Sequence, residues 1–128
     1  MTDQHDISAA IERGGVVDIT TTGRTSDQPR RIEIVFFNVD GRVYISGLPG
    51  RRGWMANLAA DAHLTFHLKK GVVADLPATA RIIDDPEERR PVIEHVCERW
   101  NRQSQLDAFL AGAPLIEVTF DDRSRLVA

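Results

Sequence analysis

The 128-residue sequence has a single cysteine, Cys97, and no long apolar run. One cysteine excludes a disulfide within the chain and a cysteine-rich metal site. No segment approaches the roughly 20 apolar residues that a membrane-spanning helix needs. The first ten residues also lack the basic and apolar regions of a secretory signal peptide. These absences predict a cytoplasmic protein that has no membrane partner.

The chain also lacks the common signatures of nucleotide-binding and metal enzymes. No G-x-G-x-x-G segment follows a predicted strand, and neither a P-loop nor an H-E-x-x-H motif is present. Hydrophobic residues make up 42% and charged residues 27%, which is ordinary for a globular protein. Because there is no repeat, low-complexity tract or linker, the length predicts one domain, residues 1–128.

The net charge of −3 is unevenly distributed. Between residues 24 and 52 the chain has six arginines and only three acidic residues. A local basic segment in an acidic protein suits a small anionic ligand better than a long polyanion. We therefore expect a small-molecule ligand and no nucleic-acid partner.

Hydrophobic alternation and turn residues predict about six strands and three or four helices. The strands are expected at residues 16–22, 30–39, 42–47, 63–70, 74–84 and 114–121, with Asp40-Gly41 as a hairpin turn and Pro77 at an edge or bulge. The helices are expected at residues 5–13, 54–61, 86–100 and 104–110, the third capped by Asp85. Strands joined by short turns favour a mostly antiparallel sheet or small barrel with helices outside it.

The segment TTTGRTSDQPRR, residues 20–31, is a polar turn with arginines at both ends. Its possible anion-binding side chains are Arg24, Thr25, Ser26, Arg30 and Arg31. Hydroxyls, backbone N–H groups and guanidinium forks in a tight turn are what phosphate recognition requires. A solvated hairpin loop is the alternative interpretation.

A second basic pair, Arg51 and Arg52, precedes the helix that is predicted to begin at Trp54. Basic side chains and free N–H groups at a helix start also attract anions. The hairpin around residues 40–41 lies between the two basic clusters, so its strands are expected to bring them to one groove.

The histidines form no obvious set of metal ligands. His63 and His67 are four residues apart on a predicted strand, so they share a face that suits either a metal site or a solvated or interface surface. His95 lies near the apolar stripe of the third helix and is interpreted as structural. Cys97 is interpreted as a small core residue, because no base or second thiol is near it in the sequence.

Three motifs in order, TTTGRTSDQPR, DGRVYISG and WMANLAADAHLTFHL, resemble the split β-barrel flavin- and deazaflavin-binding family of the pyridoxamine phosphate oxidase-like superfamily. The resemblance is to its deazaflavin-dependent nitroreductase branch in particular, and it spans residues 16–83. It implies a mainly β protein with flanking helices, built on a six-stranded antiparallel split barrel of the FMN-binding type. It also implies a homodimer with the cofactor in a groove near the subunit interface.

The resemblance implies roles for residues of three segments. Residues that match the phosphate side of the family's cofactor site are Arg24, Thr25, Ser26, Arg30, Arg31, Ile32 and Ile34. Residues that match the ring-side loop, with the charged residues that follow it, are Ser46, Gly47, Leu48, Pro49, Arg51 and Arg52. The segment from Trp54 to Leu58 is expected to close the site, and Asn57 to fix the loop by hydrogen bonds, with a helix cap or surface amide as the alternative.

The implied cofactor is the deazaflavin coenzyme F-420, with FMN as second choice because Thr25 and Pro49 stand where the branch has lysines. We expect a reductase that transfers hydride to an unidentified small-molecule acceptor, and such chemistry requires no dedicated acid or base. Tyr44 is a candidate proton donor, with barrel packing as its alternative. The alternative functions are a carrier of flavin, deazaflavin or haem on the same barrel, with a histidine as axial ligand, and a dimeric scaffold with an empty groove.

Overall fold

A computed structural model describes residues 4–121 of the chain. The six strands are β1 (Gly15–Thr22), β2 (Pro29–Val39), β3 (Arg42–Ser46), β4 (His63–Leu68), β5 (Ala74–Ile82) and β6 (Leu115–Phe120). The four α-helices are α1 (Gln4–Arg13), α2 (Gly53–Ala60), α3 (Pro86–Arg99) and α4 (Leu106–Gly112), and a 3-10 turn, Gln103–Gln105, precedes α4. Within this part of the chain no helix is both long and apolar enough to cross a bilayer.

The strands form a closed barrel in the order β1-β2-β3-β6-β5-β4, and every neighbouring pair is antiparallel. The β2–β3 hairpin turns at Asp40 and Gly41, whose φ angles are 54° and 83°. Two successive positive φ angles are the geometry of the tight hairpin turn that an Asp-Gly pair favours. Pairing of β1 with β4 closes the barrel and confirms the six-stranded antiparallel fold.

Two apolar clusters stabilise this architecture. The first fills the barrel, where alternate residues of each strand point inward; Val17, Ile19, Ile45 and Phe66 are fully buried there. The second lies between the outer face of β2 and β3 and the helices α3 and α4, and it contains Phe37, Tyr44, Ile93, Val96, Cys97 and Phe109. Because these two cores occupy the barrel interior and the surface beneath α3 and α4, the ends of the barrel and the loops remain for ligand contacts.

The third predicted helix begins as its sequence indicates. The Asp85 carboxylate accepts a hydrogen bond of 3.3 Å from the Glu87 N–H, and Pro86 occupies the first turn, where no N–H partner is needed. The predicted helix at residues 104–110 is displaced, because a 3-10 turn occupies residues 103–105 and α4 continues to Gly112.

The prediction that Pro77 lies at an edge strand or bulge is wrong. Pro77 lies in β5 opposite Thr65, in an unbroken register with β4, and a closed barrel has no edge strand. Its carbonyl accepts from the Asp121 N–H at 3.0 Å, one residue beyond the β5–β6 register. The N–H and C=O of one strand residue point to the same side, so the Pro77 nitrogen faces the β6 side, as its carbonyl does. The absent N–H therefore lies at the end of the β5–β6 pairing, and the hydrogen bonds between β5 and β4 are not interrupted.

Candidate functional site

The polar turn between β1 and β2, residues 23–28, is closed by its own backbone. The Gly23 N–H donates to the Gln28 carbonyl and the Asp27 N–H to the Gly23 carbonyl, both at 2.9 Å. A Cβ atom on Gly23 would lie 2.4 Å from Ser26 Oγ and 3.2 Å from the Gln28 carbonyl oxygen, so any other residue there would displace the Ser26 hydroxyl and press on the turn backbone. Asp27 adopts a φ of 58°, which short polar side chains tolerate.

Asn57 of α2 joins this turn to the barrel. Its Oδ1 accepts hydrogen bonds from the Arg24 N–H at 3.1 Å and from Arg24 Nη1 at 3.2 Å. Its Nδ2 donates to Thr21 Oγ1 at 3.1 Å, and both Asn57 and Thr21 are buried, with 7% and 2% exposure. The amide therefore fixes the polar turn by hydrogen bonds, and its side chain makes none to the ring-side loop within residues 4–121. Thr21 was not among the predicted residues; the signal for it is the alternation of β1, which points Val17, Ile19 and Thr21 inward.

The two arginines at the end of the turn point to opposite faces of β2. The Nε of Arg30 lies over Gly23, within 3.6 Å of where a Cβ would stand on that glycine. Arg31 instead binds Asp18 at 2.9 Å on the outer face of the barrel, where Lys69 also binds Asp18 at 2.7 Å. Hydrogen bonds from Lys69 and then from Arg31 hold the pKa of Asp18 below its ordinary value. The structure thus brings Arg30 to the turn and separates Arg31 from it.

The outer side of the turn has hydrogen-bond donors available to a ligand. Arg24, Thr25 and Ser26 are exposed. Within residues 4–121 the backbone N–H groups of Thr25 and Ser26 have no hydrogen-bond partner. Ser26 Oγ accepts from the Gln28 N–H at 3.2 Å, which orients its hydroxyl. Two free N–H groups, two hydroxyls and two guanidinium groups are a donor set suited to a phosphate.

The ring-side loop that follows β3 is held at both of its ends. Ser46 is buried and its hydroxyl donates to the Pro114 carbonyl at 2.6 Å, so that hydroxyl serves the fold. Arg52 donates to the Leu48 carbonyl at 2.8 Å and to the Arg51 carbonyl at 3.1 Å. These contacts leave Leu48 48% exposed at the tip of the loop.

The remaining loop residues pack against the segment that enters β6. A Cβ on Gly47 would touch Pro114 at 3.6 Å, and the Pro49 side chain lies 3.5 Å from a Cβ placed on Gly112. The Gly50 N–H donates to the Gly112 carbonyl at 3.0 Å. Residues 46–50 are therefore packed and hydrogen-bonded against residues 112–114.

Helix α2 connects the loop and the turn. Arg52 precedes its first residue and Asn57 lies one turn further on, so the two anchors are about 7.5 Å apart along the helix axis at 1.5 Å per residue. Trp54 and Leu58 are buried in the barrel core, with 8% and 2% exposure. Ile32 and Ile34 are half-buried against the same core. All the predicted residues except Arg31 thus form two adjacent clusters, the polar turn with its free donors and the ring-side loop, which both lie against the barrel core.

His67, His95 and Tyr44 have structural partners. His67 is buried, with Nε2 2.7 Å from Thr20 Oγ1 and Nδ1 2.7 Å from Asp75 Oδ1. Both of its ring nitrogens are thus engaged, and among residues 4–121 no three potential ligands are placed to hold a metal ion. His95 packs edge-on against a phenylalanine ring, as its structural interpretation predicts. Tyr44 is 5% exposed beneath α3 and α4, which favours packing over proton donation.

Cys97 is a core residue, as predicted. Its side chain is 1% exposed in the cluster beneath α3. Burial raises the pKa of its thiol, which disfavours the reactive thiolate. The thiol therefore has no part in the candidate site.

The sequence profile of the F420H(2)-dependent quinone reductase family matches residues 2–110 of the chain. No curated protein matches the chain by sequence. The family match covers the polar turn, the ring-side loop and α2 together.

Several solved structures share the fold. A pyridoxamine 5'-phosphate oxidase-like protein from Listeria innocua superposes with a TM-score of 0.68 at 13% identity, over 90% of each chain. The F420-H2 dependent reductase FDR-A superposes with a TM-score of 0.61 at 19% identity, over 82% of this chain and 94% of its own. A protein described as a domain-swapped dimer superposes with a TM-score of 0.62 at 21% identity, over 82% of this chain and 80% of its own. At these identities the structural likeness establishes the fold, which is the split barrel that the sequence motifs imply.

Proposed function

The chain belongs to the family of F420H(2)-dependent quinone reductases, and from that premise we propose that its two clusters together bind coenzyme F-420. The protein is a deazaflavin-dependent reductase. The electron acceptor that we propose is a small molecule of the quinone class, since that is the activity after which the family is described.

The polar turn is the proposed site for the phosphate side of the coenzyme. Its support is the donor set of the turn, in which the N–H groups of Thr25 and Ser26 are free within the described residues and Arg24 is positioned by Asn57. Charge-assisted hydrogen bonds of this kind each contribute about 1.5–3 kcal/mol to binding. Arg30 adds a second guanidinium from across Gly23, whereas Arg31 contributes little because Asp18 already neutralises it.

The ring-side loop, Ser46 to Pro49, is the proposed site for the deazaflavin ring. A rigid backbone suits a flat ring because its N–H and C=O groups are held without further loss of entropy on binding. The bound reduced coenzyme would supply a hydride to a quinone. The quinone would take one proton from water and the coenzyme would release one proton to water, which gives the hydroquinone and the oxidised coenzyme. The role of the chain is to bind, orient and shield the site from water. Because Tyr44 is buried, we assign it no proton-transfer role.

The proposal extends to the assembly of the protein. We propose that residues 1–128 form one domain and that two chains form a homodimer. A protein of the same fold is a domain-swapped dimer, and the exposed Leu48 at the tip of the ring-side loop offers apolar surface to a partner. Light scattering of the purified protein tests this: a mass of one chain would contradict it.

The turn assignment is tested with a double variant, Arg24→Ala with Thr25→Ala, which is titrated with oxidised F-420. Loss of two donors is expected to weaken binding by at least about ten-fold, since ten-fold corresponds to only about 1.4 kcal/mol. Arg99→Ala, an exposed arginine at the end of α3, is the matched control and should bind as the wild type does. Unchanged affinity in the double variant would contradict the placement of the phosphate.

A further inference from the structure

A large cavity lies beside the ring-side loop, between the start of α2, the start of α3 and the end of α4. Its volume is about 590 Å³, which is within the usual range for small-molecule sites. Its apolar lining comes from Met55, Ala56, Ile83, Pro86, Leu110, Ala111, Ala113 and Pro114. A surface of this kind fits a conjugated ring system.

The charged lining of the same cavity is strongly basic. Four arginines, Arg51, Arg52, Arg89 and Arg90, face one acidic residue, Asp84. The protein as a whole carries a net charge of −3, so this excess of positive charge is local. A cavity with one sign of charge and apolar walls concentrates ligands of the opposite sign.

The four arginines differ in how far the fold already uses them. Arg89 donates to the carbonyls of Ile83, Phe109, Leu110 and Ala113 and so holds the end of α4. Arg52 is bound to the carbonyls of the ring-side loop.

The other two arginines are open to a ligand. Among residues 4–121 the Arg90 side chain has a single partner, Glu94, in a long ion pair of 3.8 Å, and it is 57% exposed. The Arg51 guanidinium has no partner within the described part of the chain. Arg51 and Arg90 are therefore the guanidinium groups that a ligand can engage without loss of structure.

The position of the cavity relates it to the proposed ring site. Gly50 lines the cavity and continues directly from the ring-side loop, and its N–H donates to the carbonyl of Gly112, which lines the cavity beside it. Pro114, another wall residue, accepts the hydrogen bond of the buried Ser46 hydroxyl. A molecule in the cavity would therefore lie next to the residues that are proposed to hold the deazaflavin.

We propose that this cavity binds the electron acceptor, and that the acceptor carries an anionic group attached to an apolar conjugated ring. The ring would pack on Met55 and Leu110, and the anionic group would lie between Arg51 and Arg90. This inference rests on the proposed function, because it assigns the acceptor of that same reaction.

The test compares two quinones that differ by one charge, 1,4-naphthoquinone and its 2-sulfonate. Their binding is measured by calorimetry, first to the protein with oxidised F-420, where no turnover occurs, and then to the protein alone. The sulfonate is expected to bind at least about five-fold more tightly than the neutral quinone. Arg90→Met, which keeps the length and apolar stem of the side chain, is expected to weaken sulfonate binding by about three- to ten-fold. It should leave the neutral quinone unchanged.

Arg99→Met is the matched control, since it removes an exposed arginine from the last turn of the same helix. It is expected to bind both quinones as the wild type does. Equal affinity of the wild type for the two quinones, or an unchanged sulfonate affinity in Arg90→Met, would overturn the inference. So would weaker F-420 binding in Arg90→Met, because the cavity would then hold part of the coenzyme.

Failure of the acceptor inference can be distinguished from failure of the proposed function. If the neutral quinone oxidises reduced F-420 but the sulfonate gains nothing in binding, the acceptor inference fails and the proposed function stands. If F-420 does not bind, the proposed function fails and the acceptor inference, which depends on it, falls with it. Sulfonate binding to the protein alone would then only identify an anion site.

Discussion

The amide of Asn57 is the contact on which the geometry of the polar turn most depends. Asn57→Ala removes three hydrogen bonds, two to Arg24 and one to Thr21. It also leaves the Thr21 hydroxyl unpaired at 2% exposure. A net loss of about 1 kcal/mol for each of the three hydrogen bonds, with about 1–3 kcal/mol for one buried unpaired hydroxyl, predicts a decrease of about 4–6 kcal/mol in the free energy of unfolding.

The assay is urea denaturation, monitored by tryptophan fluorescence, with F-420 titration of the folded protein alongside. Gln103→Ala removes an exposed amide and should leave both quantities unchanged. Thr21→Val removes one of the three hydrogen bonds, so the cost of Asn57→Ala should be smaller in that background. A cost below about 1 kcal/mol for Asn57→Ala would refute the idea that this amide holds the turn.

Asn57→Asp separates stability from binding. The carboxylate still accepts from Arg24, and the Thr21 hydroxyl can turn to donate to it, so stability should fall by only about 1 kcal/mol or less. The added negative charge neutralises Arg24, and affinity for the anionic coenzyme should therefore decrease. Wild-type affinity in Asn57→Asp would show that the charge of Arg24 is not used.

Three further perturbations have defined outcomes. Arg89→Met should lower the free energy of unfolding by about 2–4 kcal/mol, because it leaves the carbonyls at the end of α4 without their donor, whereas Arg99→Met should not. The pKa of Asp18 is lowered in the folded protein, so its contribution to stability is fully present above its ordinary pKa of 3.8 and is lost as the pH falls through the lowered pKa. Asp18→Asn should therefore be less stable than the wild type at neutral pH, and the difference should shrink in acid. Cys97 should react with a disulfide reagent at neutral pH only after unfolding, because its thiol is 1% exposed and its pKa is raised. The first expectation would be contradicted by an equal loss of stability in Arg89→Met and Arg99→Met. The second would be contradicted by a stability difference for Asp18→Asn that stays constant down to low pH, and the third by fast labelling of Cys97 in the native protein.

The sequence predicts local elements well where one residue type decides the geometry. Asp40-Gly41 locates the β2–β3 turn because few other pairs adopt two positive φ angles. Asp85 and Pro86 locate the start of α3 for a similar reason. Pro77 misleads because its effect depends on which neighbouring strand its missing N–H faces, and periodicity does not contain that information.

Long-range pairing limits what the sequence predicts about the site. The grouping of Arg30 with Arg31 ignored strand alternation, which sends adjacent side chains to opposite faces, and Asp18 as the partner of Arg31 follows only from the β1–β2 register. Arg89 and Arg90 have the sequence pattern of ordinary helix charges, so the sequence gives no sign of a role for them. Only the packing of α3 against α4 places them around one cavity with the residues that follow the ring-side loop.

The most direct test of the account is a side-by-side titration of the purified protein with F-420 and FMN. Binding of F-420 at least about ten-fold tighter than FMN, followed by oxidation of the reduced coenzyme when a quinone is added, is the expected result. Tighter binding of FMN, or reduced F-420 that binds but stays reduced in the presence of quinones, would contradict it.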